Sequence, residues 1–130
     1  MAPRPESPAA PRLRVLVVDD RALVGEQVAR MLATHDVTRV DSAEAAVAAM
    51  KRAEQDAILY ALALPGVSGF AFADLLAAQR PAMRRRLVLM LDHAPSRGVL
   101  GKVERTGVRW ITKPLRYAPL VTAVSGSVQP

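Results

Sequence analysis

Residues Asp56-Ala57-Ile58-Leu59-Tyr60-Ala61-Leu62-Ala63-Leu64-Pro65-Gly66-Val67-Ser68-Gly69 (DAILYALALPGVSG) carry a nearly unbroken apolar run straight into a Pro/Gly turn. A strand buried on both faces reads as a continuous apolar string, and a helical pattern after the turn makes it one strand of a parallel sheet. Such sheets keep their chemistry at the C-terminal strand ends. Here that end is Ala61, which carries no reactive group.

The same grammar repeats on both sides of this stretch. Arg14 to Val18 reads as β1, and Ala22 to Ala33 follows with Leu23, Val24, Val28, Met31 and Leu32 spaced along one helix face. Val37 to Val40 is a short β2. Ser42 is placed to cap an alanine-rich helix through Ala53, with Val47 and Met50 on its buried side. Asp56 to Ala61 is β3, and Ser68 to Gln79 forms a third helix with Phe72, Leu75 and Leu76 inward, stopped by Pro81. Leu87 to Leu91 is an all-apolar β4, and Ser96 to Thr106 a weaker helix containing Gly98 and Gly101. Val108 to Thr112 is β5, and a last helix runs to about Gly126, its first turn near Pro119. Five βα units with short links predict an α/β fold, a five-stranded doubly wound parallel sheet with its site at the strands' C-terminal ends.

At 130 residues the chain fits one domain, able to bury about two-thirds of its unfolded surface. The start, MAPRPESPAAPR, is proline-rich without an apolar core, so residues 1–12 are expected to be an extended flexible tail and not a signal peptide. The folded unit is expected over 13–126, with a short tail at 127–130. No cysteine is present, which excludes disulfides and Cys-ligated metals and mildly favours the cytoplasm; no apolar stretch nears the ~20 residues of a membrane span. The net charge of +6 is uneven. Residues 1–18 carry +2, residues 19–79 carry −4 (nine carboxylates against five bases), and residues 80–130 carry +8 (ten bases against Asp92 and Glu104). A charged partner should therefore prefer one side of the molecule.

Three strand ends together carry a family resemblance. VLVVDD, with Asp19-Asp20 closing β1, LALPGVSG after β3, and Trp110-Ile111-Thr112-Lys113-Pro114 closing β5 resemble a receiver domain of two-component response regulators, over residues 13 to about 126. The resemblance implies an aspartate at the end of β3 that accepts a phosphoryl group from a histidine kinase, and an acidic pair that holds Mg²⁺. By position Asp19 and Asp20 match the acidic pair, Ala63 would offer a backbone carbonyl to the metal, and Lys113 matches the lysine that offsets the phosphoryl charge. A carboxylate nucleophile needs both devices to receive an anionic group. Ala61 matches the phosphoacceptor itself. Lys113-Pro114 matches the family's cis peptide turn, and Trp110 its aromatic switch position.

A second departure stands at the end of β4, where the family usually has Thr or Ser and this chain has Asp92-His93. An ionised Asp92 only accepts hydrogen bonds, so it serves a phosphate poorly, but it is placed to pair with Lys113 from the adjacent strand. Plainer readings stay beside these. Asp19-Asp20 suits the start of the first helix, Trp110 suits fixed packing, and Lys113 alone suits a solvated loop. Arg84-Arg85-Arg86 reads as a solvated turn, and His35 and His93 have no ligand-like spacing.

The expected function is thus a pseudo-receiver that signals through protein contacts and does no catalysis, with Mg²⁺ binding weak or vestigial. The alternative is an ordinary receiver whose acceptor aspartate was changed to give Ala61. Partners implied by the resemblance are a histidine kinase, an output protein or a second copy, through the face made by the 96–106 helix, β5 and the last helix. That face holds Arg97, Lys102, Arg105, Arg109 and Arg116 against Glu104, which suits an acidic protein. Nucleic acid is a poor fit, lacking a helix-turn-helix pattern and aromatics for stacking. A nucleotide enzyme is poorer, lacking a glycine-rich loop. The chain stops soon after residue 126, which fits a stand-alone adaptor or a receiver cut from a longer protein.

Overall fold

Val15–Val18, Ala57–Ala61 and Leu87–Leu91 are buried at every position, which only a sheet covered on both faces can provide. A computed structural model describes residues 12–128 and arranges these runs as that sheet. Its strands are β1 (Arg14–Val18), β2 (Asp36–Val40), β3 (Ala57–Ala61), β4 (Leu87–Leu91) and β5 (Arg109–Thr112), all parallel, in the order β2-β1-β3-β4-β5. The helices are α1 (Ala22–Met31), α2 (Ala43–Arg52), α3 (Gly69–Gln79), a single turn α4 (Pro81–Arg84), α5 (Arg97–Thr106) and α6 (Tyr117–Ser127). The chain reverses direction across the sheet after β2, so right-handed crossovers put α1 on one face and α2, α3 and α5 on the other. This is the flavodoxin-like, doubly wound fold, with its switch point between β1 and β3. Among the described residues no helix is long and apolar enough to cross a membrane.

Local chemistry sets the element ends. Ser42, Ser68 and Ser96 each accept a hydrogen bond from the backbone N–H three residues on, at 3.1, 3.2 and 3.1 Å, and such caps contribute about 1 kcal/mol each. The turn after β3 needs a left-handed residue, and Gly66 supplies it at φ +87°. Gly69 lets the start of α3 lie against β3 and β4: a Cβ there would stand 2.7 Å from Leu89 Cδ2 and 3.0 Å from Leu62 Cα.

Several expectations are corrected. Leu23 is 61 % exposed, because Val24, Val28 and Leu32 already fill the inward face of α1. Pro81 ends α3 but also opens α4, where its missing N–H costs nothing. The last helix begins at Tyr117, placing Pro119 inside the first turn, where N–H groups have no intrahelical partner. It runs to Ser127, whose hydroxyl bonds the Ala123 carbonyl. At the other end Arg12 pairs with Asp36 at 2.8 Å and is not part of a free tail; residues 1–11, 129 and 130 lie outside the described residues.

Tyr60 sits at the centre of the core, stacked on Phe72 with ring centroids 4.2 Å apart, and its hydroxyl donates to the Val67 carbonyl at 2.7 Å. Burial pushes its phenol from an ordinary 10.0 up to about 12. Below pH 10 the phenol is protonated folded and unfolded; above it the unfolded chain ionises first, so stability should fall as pH rises from 10 to 12. Tyr60→Phe should flatten that slope in denaturant titrations across this window, at a cost of about 1 kcal/mol for the lost hydrogen bond; an unchanged slope would contradict the assignment.

Candidate functional site

The C-terminal strand ends bring Asp19, Ala61, Asp92 and Lys113 together, since each follows or closes a neighbouring strand. Val18 pairs with Tyr60, which sets Asp19 level with Ala61; Ala61 pairs with Met90, and Leu91 pairs with Thr112, which sets Asp92 level with Lys113. The Ala61 methyl is nearly buried, at 5 % exposure. Above it the Lys113 ammonium reaches across β4 and β3 to Asp19 Oδ2 at 2.7 Å. This pair is deep, with side-chain exposures of 11 % for Lys113 and 1 % for Asp19.

The expected Asp92–Lys113 pair is present only at the outer limit of ion-pair distance, and Lys113 has a closer partner in Asp19. Asp92 Oδ1 stands 4.0 Å from Lys113 Nζ, at the limit of an ion pair, while its closer contact is Arg21 Nη2 at 3.1 Å. The reason is geometric and energetic together. Lys113 passes over the Ala61 methyl and meets a buried anion, which needs a cation in contact more than a solvated one does. Breaking the buried pair should cost roughly 3 kcal/mol or more, against ~0–1 kcal/mol for the exposed Arg21–Asp92 contact.

Arg21 is the residue that sequence reasoning missed. Its backbone N–H donates to Asp19 Oδ1 at 2.9 Å while its guanidinium holds Asp92, so one residue braces both carboxylates. Its position directly after the acidic pair was the available signal; its bond to Asp92 spans 71 residues and needed the fold. Arg21, not Asp19 or Asp20, occupies the N-cap position of α1 and makes no side-chain cap. Asp20 and Ala63 are exposed. The Lys113–Pro114 peptide is cis. Trp110, on the sheet edge, is 37 % exposed and so is not fixed core packing.

The donor set does not fit a tightly held divalent cation. Both Asp19 oxygens are engaged, by Lys113 and by the Arg21 N–H, and position 61 offers only a methyl. Among the described residues no three His, Cys, Asp or Glu side chains gather as a metal cluster. Oxygen-ligand cations need several oxygens of this kind; Asp20 and the Ala63 carbonyl are what remain. A cleft of about 530 Å³ opens on the β2 side of Asp19, lined also by Asp20, Arg21, Glu26, Arg39 and Asp41, whereas Ala61, Asp92 and Lys113 lie outside it. Elsewhere His35 accepts from the Leu13 N–H at 3.0 Å and His93 is exposed on another element, so the two histidines form no site.

Comparison with known proteins agrees with this layout. The chain superposes on a response regulator receiver domain from Clostridium thermocellum at a TM-score of 0.75 with 15% identity, covering 89% of this chain and 94% of that one. It is also similar to the signal receiver domain of a putative Luxo repressor protein from Vibrio parahaemolyticus (TM-score 0.76, 21% identity, 91% of each chain). Full-length FixJ from B. japonicum matches at TM-score 0.78 and 18% identity over 92% of this chain and 59% of that protein. At such identities these likenesses speak for the fold alone. No curated protein sequence matches the chain significantly. The sequence profile of the response regulator receiver domain matches residues 15–125, the same span that carries the five strands and their conserved-order strand ends, and the chain therefore belongs to the receiver domain family of two-component signal transduction.

Proposed function

We propose that this receiver domain does not accept a phosphoryl group and signals through protein contact in a single, internally held state. The carrying observation is Ala61: where the nucleophile would stand there is a methyl, and the lysine that would meet the phosphoryl group is spent on Asp19. An attack on phosphorus needs a carboxylate whose charge is offset nearby. Asp19 has the offset but is bound on both oxygens, and Asp92, where the family usually has a hydroxyl, is held by Arg21. Two departures at one site, joined by a third residue that braces both carboxylates, support natural divergence over a single change at position 61.

Receiver domains interact with histidine kinases and output domains. The surface we assign to a protein partner here is the α5-β5-α6 face, where Arg97, Lys102, Arg105 and Arg116 are exposed with Trp110 and Tyr117 among them, while the Arg109 guanidinium turns from it to the Arg85 carbonyl. Aromatic and arginine side chains are what binding hot spots favour. Like charges on this scale oppose a symmetric dimer through the same face and favour an acidic partner.

Incubation with acetyl phosphate and Mg²⁺ should give no adduct by intact-mass spectrometry. A gain of one phosphoryl group mapped to Asp19, Asp20 or Asp92 would refute the proposal.

Mg²⁺ should bind the natural chain on the order of millimolar or worse, as for low-charge oxygen sites. Lys113→Met removes the ammonium that occupies Asp19, so Trp110 fluorescence titrations should show tighter Mg²⁺ binding in the variant, while its thermal stability without metal drops. Equal affinity in the two proteins would mean that Lys113 does not compete for Asp19.

A further inference from the structure

At the opposite pole, where the strands begin, the arginines expected to form a solvated turn are fastened instead. Arg80 donates to the Met50 carbonyl at 3.4 Å, Arg84 to the Thr106 carbonyl, Arg86 to the Gln55 carbonyl at 2.8 Å and Arg109 to the Arg85 carbonyl at 2.8 Å. These bonds join the end of α2 to the α3–α4 junction, the end of α5 to α4, and the starts of β4 and β5 to the loop before β3 and the turn after α4, so the four arginines are anchored around one pole as a plate of internally bonded side chains. A carbonyl uses one or two of the five N–H donors of a guanidinium and cancels none of its charge. Among the described residues, Glu54, 3.7 Å from Arg86, is the one carboxylate within ion-pair distance of this set. Arg52 and Arg85 stand beside the plate, exposed.

We propose that this pole is a second docking surface, for an acidic segment of a partner protein. Arginine held in place by its own backbone loses little side-chain freedom on binding and keeps donors free for carboxylates, which it receives in a two-toothed geometry. A purely structural role accounts for the carbonyl bonds, since cations suit helix C-termini. It does not account for the surplus charge of the pole, where Arg52, Arg85 and Arg109 are exposed, Arg80 and Arg84 half-buried and Arg86 alone is near a carboxylate, because half a unit of opposing charge at each helix end falls short of the guanidiniums present. Nucleic acid fits less well: α2, α3 and α5 meet the pole end-on, so none lies across it to enter a groove.

The test uses a fluorescein-labelled oligoglutamate peptide, with anisotropy read at physiological salt on the whole chain. Arg52→Glu/Arg85→Glu reverses two charges whose side chains hold none of the internal bonds named above, and should weaken binding about tenfold. Arg97→Glu/Arg116→Glu, at the other end of the molecule, should leave it within about twofold, which separates this pole from the α5-β5-α6 face. Arg85→Gln, a gentler change, should give a smaller loss in the same direction and keeps the test valid if the double variant unfolds. No binding by the natural chain, equal losses in both double variants, or tighter binding of a charge-matched DNA duplex than of the peptide would overturn the proposal.

Discussion

The ion pair between Asp19 and Lys113 is the interaction on which the rest of the strand-end geometry depends. A carboxylate almost wholly out of water needs a cation in contact, or it is protonated or expelled. Lys113 supplies one from the far side of the sheet, at 2.7 Å. The pair ties the end of β1 to the loop after β5 across two intervening strands, β3 and β4, and it closes over Ala61. Once Lys113 is committed there, Asp92 is left with the weaker contact, and Arg21 completes the arrangement from the start of α1. Four charges and one methyl therefore settle together, and a change at any one alters the options of the others.

The residues that build the sheet were legible because their chemistry is local. An all-apolar run, a Pro/Gly turn and a serine three residues ahead of a donating N–H each report a nearby environment, and β1, β3, β4 and the three serine-capped helices follow from them. That Asp19, Ala61, Asp92 and Lys113 meet at one end of the sheet follows for the same reason, since each closes or follows a strand that the pattern marks. What the pattern lacks is reach. Adjacency of β4 and β5 pointed to Asp92 as the partner of Lys113, yet a lysine stem spans more than one strand spacing when nothing bulky stands in its way. The small side chain at Ala61 leaves that path open, and the residue that uses it stands 52 positions later in the chain.

The arginines failed the same local test in the opposite sense. Arg84 and Arg86 follow a proline turn and look solvated, but their guanidiniums fold back onto carbonyls at the ends of elements distant in sequence. Sequence shows where charge is; it does not show which backbone acceptors a fold leaves open. Here α5 ends at Thr106 beside α4, and the short turn made by Pro81–Arg84 is what brings Arg84 to that carbonyl. The added turn after Pro81 and the fastening of Arg84 are therefore one feature.

Charge is thereby sorted along the strand direction, and the sorting bears on how such a domain can signal without phosphate. At the C-terminal ends the anions Asp19 and Asp92 are matched by Lys113 and Arg21, so no phosphoryl group or metal ion is needed to neutralise them. In this chain the lysine already holds an internal anion, with no covalent step. At the N-terminal ends the balance runs the other way, with guanidiniums held on neutral carbonyls and their charge left over. A ligand can shift a conformational equilibrium only by its differential affinity for the states, and with the strand-end site internally matched, that difference has to come from partners on the basic surfaces. On the reading proposed above, the domain's state follows occupancy of those surfaces, and its sensitivity to salt, through screening over about 8–10 Å, would be a property of its signalling as well as of its binding.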